Sequence, residues 1–399
     1  MKKVEKISVL GMGYIGLPTA IAFAENGYQV QGFDVNENVV ETLNKGKLHI
    51  VENSLQAELE KVVKNGTFKA YKDLQVADVY IICVPTPFLK EEEKKLADLS
   101  YVHSAAENVG KILKKGDLVI LESTVPPGTT KEMTDILCKV SGLSKDDFLT
   151  AHCPERVLPG RILFELKNND RIIGSENKQA AELAKEIYSS FLVNGNVYIT
   201  DDITAEMCKL VENSFRDVNI AFANELSILC DKINIDVNEL ITLANKHPRV
   251  NILSPGVGVG GHCISVDPWF LIEKFGEDAK IITSARKTND YKPYYVAHKI
   301  EKLLSFDTSK TIAILGLSFK ANIDDLRESP SIILANVLRD KGYNVIGCEP
   351  NVDLKEKDGI ELFDLQSALD NSDLAVVTVK HDAFMENMEL IEKYNNLIV

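Results

Sequence analysis

Residues 251–270 read Asn-Ile-Leu-Ser-Pro-Gly-Val-Gly-Val-Gly-Gly-His-Cys-Ile-Ser-Val-Asp-Pro-Trp-Phe, which puts a cysteine at the end of a glycine-rich loop and an aspartate four residues beyond it. Gly256, Gly258, Gly260 and Gly261 free the backbone and let a ligand come close to Cys263. These glycines and His262 describe an accessible, electropositive place that favours the nucleophilic thiolate; the alternative is a small buried residue. A second constellation is Gly11-Met12-Gly13-Tyr14-Ile15-Gly16, preceded by the apolar run Ile7–Leu10 and followed by a helical pattern over Leu17–Asn26. A strand over Gln29–Phe33 then ends on Asp34, 23 positions after Gly11, the place from which a carboxylate grips a ribose. Val35, Asn36 and Glu37 follow, with no arginine to meet a 2′-phosphate, so NAD is favoured over NADP. A nucleophilic thiol beside a dinucleotide site points to oxidation through a covalent intermediate.

The elements that must position these residues repeat. Ile312-Ala313-Ile314-Leu315-Gly316-Leu317 echoes Ile7–Met12, Gly342–Glu349 echoes Gly27–Asp34, and Asp373 before a strand over Leu374–Val379 answers Asp78 before one over Val79–Val84. The second copy lacks the later glycines and carries ten extra residues, matching Phe319–Glu328, at the carboxyl end of a strand. Ligands bind at that edge of doubly wound sheets, so this copy is expected to hold something other than a dinucleotide pyrophosphate, or else to carry a solvated loop. Between the copies, Ile203–Ile233 has few turn signals, with Met207, Leu210, Val211, Ser214, Phe215, Val218, Ala221, Phe222 and Leu226 at helical steps. Such a helix reaches about 45 Å, enough to join two domains. Lys209, Asn213 and Arg216 share a face that either meets a ligand's phosphate or carbonyl or forms an exposed polar stripe. The fold class is therefore α/β: two Rossmann-like doubly wound domains joined by a long central helix and a helical middle domain, with boundaries at 1–200, 201–300 and 301–399.

Composition sets the outer bounds. At 399 residues the chain is too long for one core, and no apolar run approaches the roughly 20 residues of a membrane helix. The net charge of -14 excludes nucleic acid, whose binding rests on basic surface; local cations and helix N-termini still admit a phosphate-bearing small ligand. The Met-Lys-Lys start has the outline of a secretory leader, but Glu5 and the glycine motif interrupt it, and a cytoplasmic location is expected. Seven cysteines do not make a disulfide framework. The pairs His152-Cys153 and His262-Cys263, 110 residues apart, match zinc spacing poorly, so no metal is expected.

Beyond these local readings, Gly11–Gly16, Val84-Pro85-Thr86-Pro87, Glu122–Thr129, Pro154-Glu155-Arg156, Lys209–Glu225, Gly260–Cys263 and Gly316–Pro330 occur in order. With them the chain resembles the UDP-glucose/UDP-N-acetylmannosamine 6-dehydrogenase family over essentially its whole length. Within that family, His49–Glu52, Cys153–Gly160, Asn213–Asn219 and His247–Asn251 resemble most the UDP-N-acetyl-D-mannosamine dehydrogenases. The resemblance implies a four-electron oxidation of the sugar C6 alcohol to a carboxylate, with two NAD reduced and water consumed. Cys263 would capture the aldehyde as a thiohemiacetal and carry the acyl group as a thioester. Lys209 and Asn213 would serve the alcohol proton and the oxyanion, and Asp267 and Glu155 the hydrolytic water. By the same resemblance Gly11, Gly13, Tyr14, Ile15, Gly16, Asp34, Thr86, Thr124 and Arg327 line the NAD site. Arg156, Val157, Lys209, Asn213, Arg216, His247, Arg249, Gly260, Phe319 and Lys320 line the UDP-sugar site. The family's counterpart of Arg249 reaches a neighbouring subunit's site, which implies a homodimer or higher homo-oligomer with the long helix at its interface.

Two departures bear on the substrate. UDP-glucose enzymes carry a lysine just before the aspartate, where this chain has Val266. Relatives also continue for a short stretch past the position of Val399 and draw a substrate contact from it. Alternatives are a UDP-N-acetylglucosamine 6-dehydrogenase, differing only at C2, a zinc alcohol dehydrogenase, and a non-catalytic nucleotide-sugar or NAD sensor. The retention of Cys263, Lys209 and Asn213 counts against the sensor.

Overall fold

Runs such as Ile7-Ser8-Val9-Leu10 and Leu118-Val119-Ile120-Leu121 are buried at every position, the pattern of strands covered on both faces of a parallel sheet. The computed structural model describes residues 3–50, 52, 55–89, 95–157, 160–261 and 263–399. The chain divides inside its longest helix into two units, Met1–Val211 and Glu212–Val399. In the first unit the strands are β1 (Lys6–Leu10), β2 (Gln29–Phe33), β3 (Phe68–Tyr71), β4 (Val79–Ile82), β5 (Leu118–Leu121), β6 (Leu149–His152), β7 (Arg171–Gly174) and β8 (Val197–Thr200). They form one sheet of order β3-β2-β1-β4-β5-β6-β7-β8, parallel except where β6 meets β7. Its first six positions follow the usual dinucleotide order, with the switch point between β1 and β4. Alternate residues feed opposite layers: Ile7, Val9, Val79 and Ile81 pack with helix Gly16–Glu25, and Leu10, Tyr80 and Ile82 with helices Ser100–Gly110 and Thr129–Ser141.

The second unit carries β9 (Thr311–Leu315), β10 (Asn344–Cys348), β11 (Glu356–Lys357), β12 (Ile360–Leu362), β13 (Leu374–Val377) and β14 (Asn396–Ile398). Their order is β11-β12-β10-β9-β13-β14, with only the β11–β12 pair antiparallel. The internal repeat extends to individual hydrogen bonds. Gly11 N donates to Phe33 O at 2.8 Å, and Gly316 N to Cys348 O at 2.9 Å. Asp78 accepts Lys6 N at the start of β1, and Asp373 accepts Thr311 N at the start of β9. Both β4 and β13 end two residues earlier than the sequence pattern implies. After β4 the chain reaches Pro85, which cannot donate to a ladder. After β13 the Thr378 hydroxyl bonds Gly316 O at 2.6 Å, as Thr378 N and Val379 N both turn onto Leu315 O.

The long helix runs Asp202–Ile233, 32 residues and about 48 Å. Its apolar residues do not form the single stripe expected from spacing. Leu210, Ser214 and Ala221 are buried, whereas Val211, Phe215 and Phe222 are 49%, 68% and 52% exposed. The exposed set continues through Leu229 and Ile233, and with the half-buried Val218 and Leu226 it advances in steps of three and four, the spacing of a helix–helix seam. Among the described residues no helix is long and apolar enough to cross a membrane.

Candidate active site

In the first unit the glycine loop lies between the ends of β1 and β4. A Cβ on Gly11, whose φ is +92°, would stand 2.7 Å from Cys83 O, and one on Gly16 would collide with Gly11 O. Both glycines are therefore required by packing. Gly13 is exposed and a Cβ there would meet nothing within 4 Å, so the fold does not need it. Its lack of a side chain matters for a pyrophosphate approaching the backbone, and this is the feature that fits NAD. Asp34 closes the loop, accepting Met12 N at 3.0 Å and Asn36 N at 2.9 Å. The Thr86 hydroxyl donates to Thr124 O at 2.7 Å and ties the loops after β4 and β5 together. Tyr14 and Ile15 are half-buried at the start of the helix. The structure thus gathers Gly11, Gly13, Tyr14, Ile15, Gly16, Asp34, Thr86 and Thr124 at the carboxyl edge of one sheet. Buried Glu206, which no local spacing announces, fixes the neighbouring turn by accepting Gly128 N at 2.5 Å and Thr130 N at 2.7 Å.

Glu155 is buried in the same unit. Its Oε2 accepts Arg171 Nη2 at 2.7 Å and its Oε1 accepts Arg156 N at 2.6 Å, leaving each oxygen a second lone pair. Arg171 also meets Glu122 at 3.3 Å and lies over the rings of Tyr188 and Phe191. Burial pushes Glu122 up to about 7 against the opposing pull of Arg171. Burial likewise drives the Cys153 thiol up to about 12 and the Cys83 thiol well above its usual range, which makes both inert fillers. His152 is pushed down to about 3 by burial alone. Arg156 donates to Asp170 O at 3.0 Å and lines a cleft of about 370 Å³ with Tyr198, Thr200, Thr204 and Cys208. Val157 packs on the sheet core.

The cysteine loop belongs to the second unit and is fastened along its length by side-chain amides. Asn219 Oδ1 accepts Leu253 N at 3.0 Å, and Asn224 Oδ1 accepts Gly256 N at 2.9 Å. Asn224 in turn donates to Asn289, whose amide bonds Asp217, the buried partner of Arg286. Further on, the loop rests on the extra residues of the second nucleotide fold. Gly261 N donates to Arg327 O at 3.2 Å, and a Cβ on Gly261 would meet the Phe319 ring at 2.8 Å. A Cβ on Gly260 would stand 2.5 Å from Glu328 O. Cys263 emerges exposed, and its carbonyl accepts Asp267 N at 2.8 Å. It therefore sits one turn before helix Asp267–Phe275, at the end where negative charge is stabilised. Asp267 is buried and its Oδ2 accepts Asn213 Nδ2 at 2.5 Å. Asp267 thus links Cys263 and Asn213, through its backbone N–H to the Cys263 carbonyl and through its side chain to the Asn213 amide.

The remaining expected residues are placed less tightly. Lys209 is half-buried one turn before Asn213 on the long helix, but Arg216 is exposed, so the shared polar face is buried only at Asn213. His247 and Arg249 are exposed in a bend closed by Asn245, which pairs with Ile252 N and O at 2.8 and 2.9 Å. Lys320 is exposed, and Arg327 forms a two-point pair with Asp325 in the second unit. His262, Val51, Leu158 and Pro159, which the sequence reading also uses, lie outside the described residues.

Fold and site together define a dinucleotide-dependent dehydrogenase with an exposed cysteine on a glycine-rich loop and a second nucleotide fold. The UDP-glucose/GDP-mannose dehydrogenase family matches in three parts: its NAD binding domain over residues 5–192, its central domain over 203–291 and its UDP binding domain over 313–398. A UDP-N-acetyl-D-mannosamine dehydrogenase of Campylobacter jejuni is 49% identical, with 97% of this chain and 98% of that protein covered. An NDP-N-acetyl-D-galactosaminuronic acid dehydrogenase of Ralstonia nicotianae is 48% identical over 95% of this chain and 91% of that one. The solved UDP-D-ManNAc dehydrogenase of Pyrococcus horikoshii superimposes with a TM-score of 0.91 at 40% identity, covering 98% of this chain and 94% of its own. This chain belongs to the UDP-glucose/GDP-mannose dehydrogenase family. It is an NAD-dependent nucleotide-sugar dehydrogenase.

Proposed function

We propose that the chain oxidises UDP-N-acetyl-D-mannosamine at C6 to UDP-N-acetyl-D-mannosaminuronate, reducing two NAD per sugar. The observation that carries this reading is the exposed Cys263 one turn before a helix, with the Asn213–Asp267 pair in the same unit. NAD at Gly11–Gly16 and Asp34 supplies the hydride acceptor for both oxidations. Cys263 adds through sulfur to the aldehyde carbon, its proton passing to the oxygen, and the resulting thiohemiacetal is oxidised to a thioester. Lys209 takes the alcohol proton, and with Asn213 it balances the charge that develops on oxygen. Asp267 and Glu155 orient the water that cleaves the thioester and returns the thiol. Arg156, Val157, Arg216, His247, Arg249, Gly260, Phe319 and Lys320 hold the UDP-sugar, guanidinium groups suiting the diphosphate. Parts 1–200, 201–300 and 301–399 would supply the cofactor site, the nucleophile and the UDP site in turn.

The exposed stripe Val211, Phe215, Phe222, Leu229 and Ile233 supports a homodimer in which the long helix of a second copy covers it. Seven free cysteines fit a reducing, cytoplasmic location. The substrate rests on the name of the C. jejuni relative and on Val266 in place of the UDP-glucose lysine. The test is NADH formed per sugar consumed, with UDP-N-acetylmannosamine, UDP-N-acetylglucosamine, UDP-N-acetylgalactosamine and UDP-glucose in separate runs. Two NADH and the highest kcat/KM with the mannosamine sugar are expected. Preference for another sugar overturns the substrate, and one NADH per sugar overturns the four-electron route.

A further inference from the structure

The second nucleotide fold contains a buried cluster that the reaction above leaves unused. Glu349 follows β10 as Asp34 follows β2, and the backbone bonds correspond. Glu349 Oε2 accepts Leu317 N at 2.8 Å and Ser318 N at 2.9 Å, and its Oε1 accepts Asn351 N at 3.1 Å. The two carboxylates differ in what covers them. Asp34 keeps some solvent exposure, as a ribose ligand requires, whereas Glu349 is buried beneath the fully buried ring of His381. His381 Nε2 lies 3.2 Å from Glu349 Oε2 and 3.2 Å from Ser318 Oγ. Its Nδ1 accepts Asn322 N at 2.9 Å and faces the Asn351 amide at 2.8 Å. Two donors on Nδ1 leave that nitrogen without a hydrogen, so Nε2–H is the donor to Glu349 and Ser318. Every polar atom of the ring is engaged, in a place where an unpaired one is costly.

The ring's partners bracket the residues expected to meet the UDP group. Ser318 and Asn322 flank Phe319 and Lys320, and Asn322 has a left-handed backbone with φ +62°. Its side chain accepts Asp382 N at 2.9 Å, joining the loop to the segment after β13. Phe319 is also the ring against which Gly261 is seated, two residues before Cys263.

We propose that His381 is a positioning residue: it occupies the place that a ribose takes in the first copy and pins Ser318 and Asn322. Phe319 and Lys320 are thereby set for the UDP group, and the Gly260-Gly261 turn before Cys263 is set with them. This rests on the reading of the second fold as the UDP site. The same histidine closes that fold to a dinucleotide, because the carboxylate that would grip a ribose is already bonded.

The test is calorimetric binding of UDP and, separately, of NAD to the full-length protein. His381→Phe keeps the ring's bulk and removes its hydrogen bonds. UDP is expected to bind about tenfold more weakly and NAD as in the wild type, while His381→Asn, which restores an acceptor near Nδ1, recovers to within about threefold. In turnover the KM for the UDP-sugar rises and that for NAD does not. A folded His381→Phe protein that binds UDP as the wild type does overturns the proposal. If that variant does not fold, Ser318→Ala leaves the histidine in place and removes the hydroxyl that its Nε2 meets at 3.2 Å. It should weaken UDP binding about threefold, and unchanged binding overturns the proposal. A wild-type protein that takes no UDP refutes the functional reading itself.

Discussion

The glycines of the first loop separate what the fold needs from what the cofactor needs. In Gly13→Ala the new methyl meets nothing within 4 Å, and Gly13 is not among the positive-φ glycines, so thermal stability should stay within about 1 °C of wild type. The same methyl stands where a pyrophosphate approaches the backbone. Losing one charge-assisted N–H bond to phosphate costs about 1.5–3 kcal/mol, or roughly ten- to a hundredfold in NAD affinity. Gly16→Ala is the converse, because its methyl collides with the Gly11 backbone carbonyl and cannot be relieved by a side-chain rotation. It should destabilise the protein by about 2–4 kcal/mol. Differential scanning calorimetry and NAD titration on both variants give a two-by-two outcome. A Gly13→Ala protein that binds NAD normally, or unfolds as early as Gly16→Ala, refutes the assignment of that glycine to the ligand.

Other expectations concern charge, oxyanion support and assembly. His152 is neutral in the folded protein down to about pH 3, whereas the unfolded chain takes up a proton near pH 6.5, so stability is lost as pH falls through that window. His152→Leu should flatten the acid limb of a Tm-against-pH curve between about pH 6 and 4, and an unchanged slope would remove His152 as its cause. Asn213→Ala removes the amide that donates to Asp267 and should lower kcat about a hundredfold without weakening NAD binding; stopped-flow turnover and NAD titration check this. Phe222→Asp, on the exposed stripe, should shift sedimentation toward monomer, and an unaltered profile would place the interface elsewhere.

Much of the fold is readable because its signals are local. The strand-glycine-helix-strand unit ending at Asp34 and its second copy at Gly316–Glu349 depend on apolar runs and turn residues a few positions apart. The cysteine loop announces itself by its glycines. What spacing does not convey is which distant side chains meet. Arg171 bonds Glu122 across 49 residues, Glu206 holds Thr130 across 76, and His381 reaches Ser318 across 63. The first and last pairings follow from sheet order, which brings strand ends together irrespective of sequence distance, and the second joins the first turns of two helices. The long helix shows the same limit, since its apolar positions serve two environments and periodicity alone merges them. Asn219 and Asn224 bond the backbone of the loop that presents Cys263, a contact that spacing does not announce.

The central claim is that Cys263 carries the sugar as a thioester, and acid-quenched intact-mass spectrometry during turnover tests it most directly. The account predicts an added mass equal to the UDP-N-acetylmannosaminuronyl group, localised to the peptide bearing Cys263 and absent from Cys263→Ser, with the variant unable to make the uronate. A Cys263→Ser protein that completes both oxidations at the wild-type rate would contradict it.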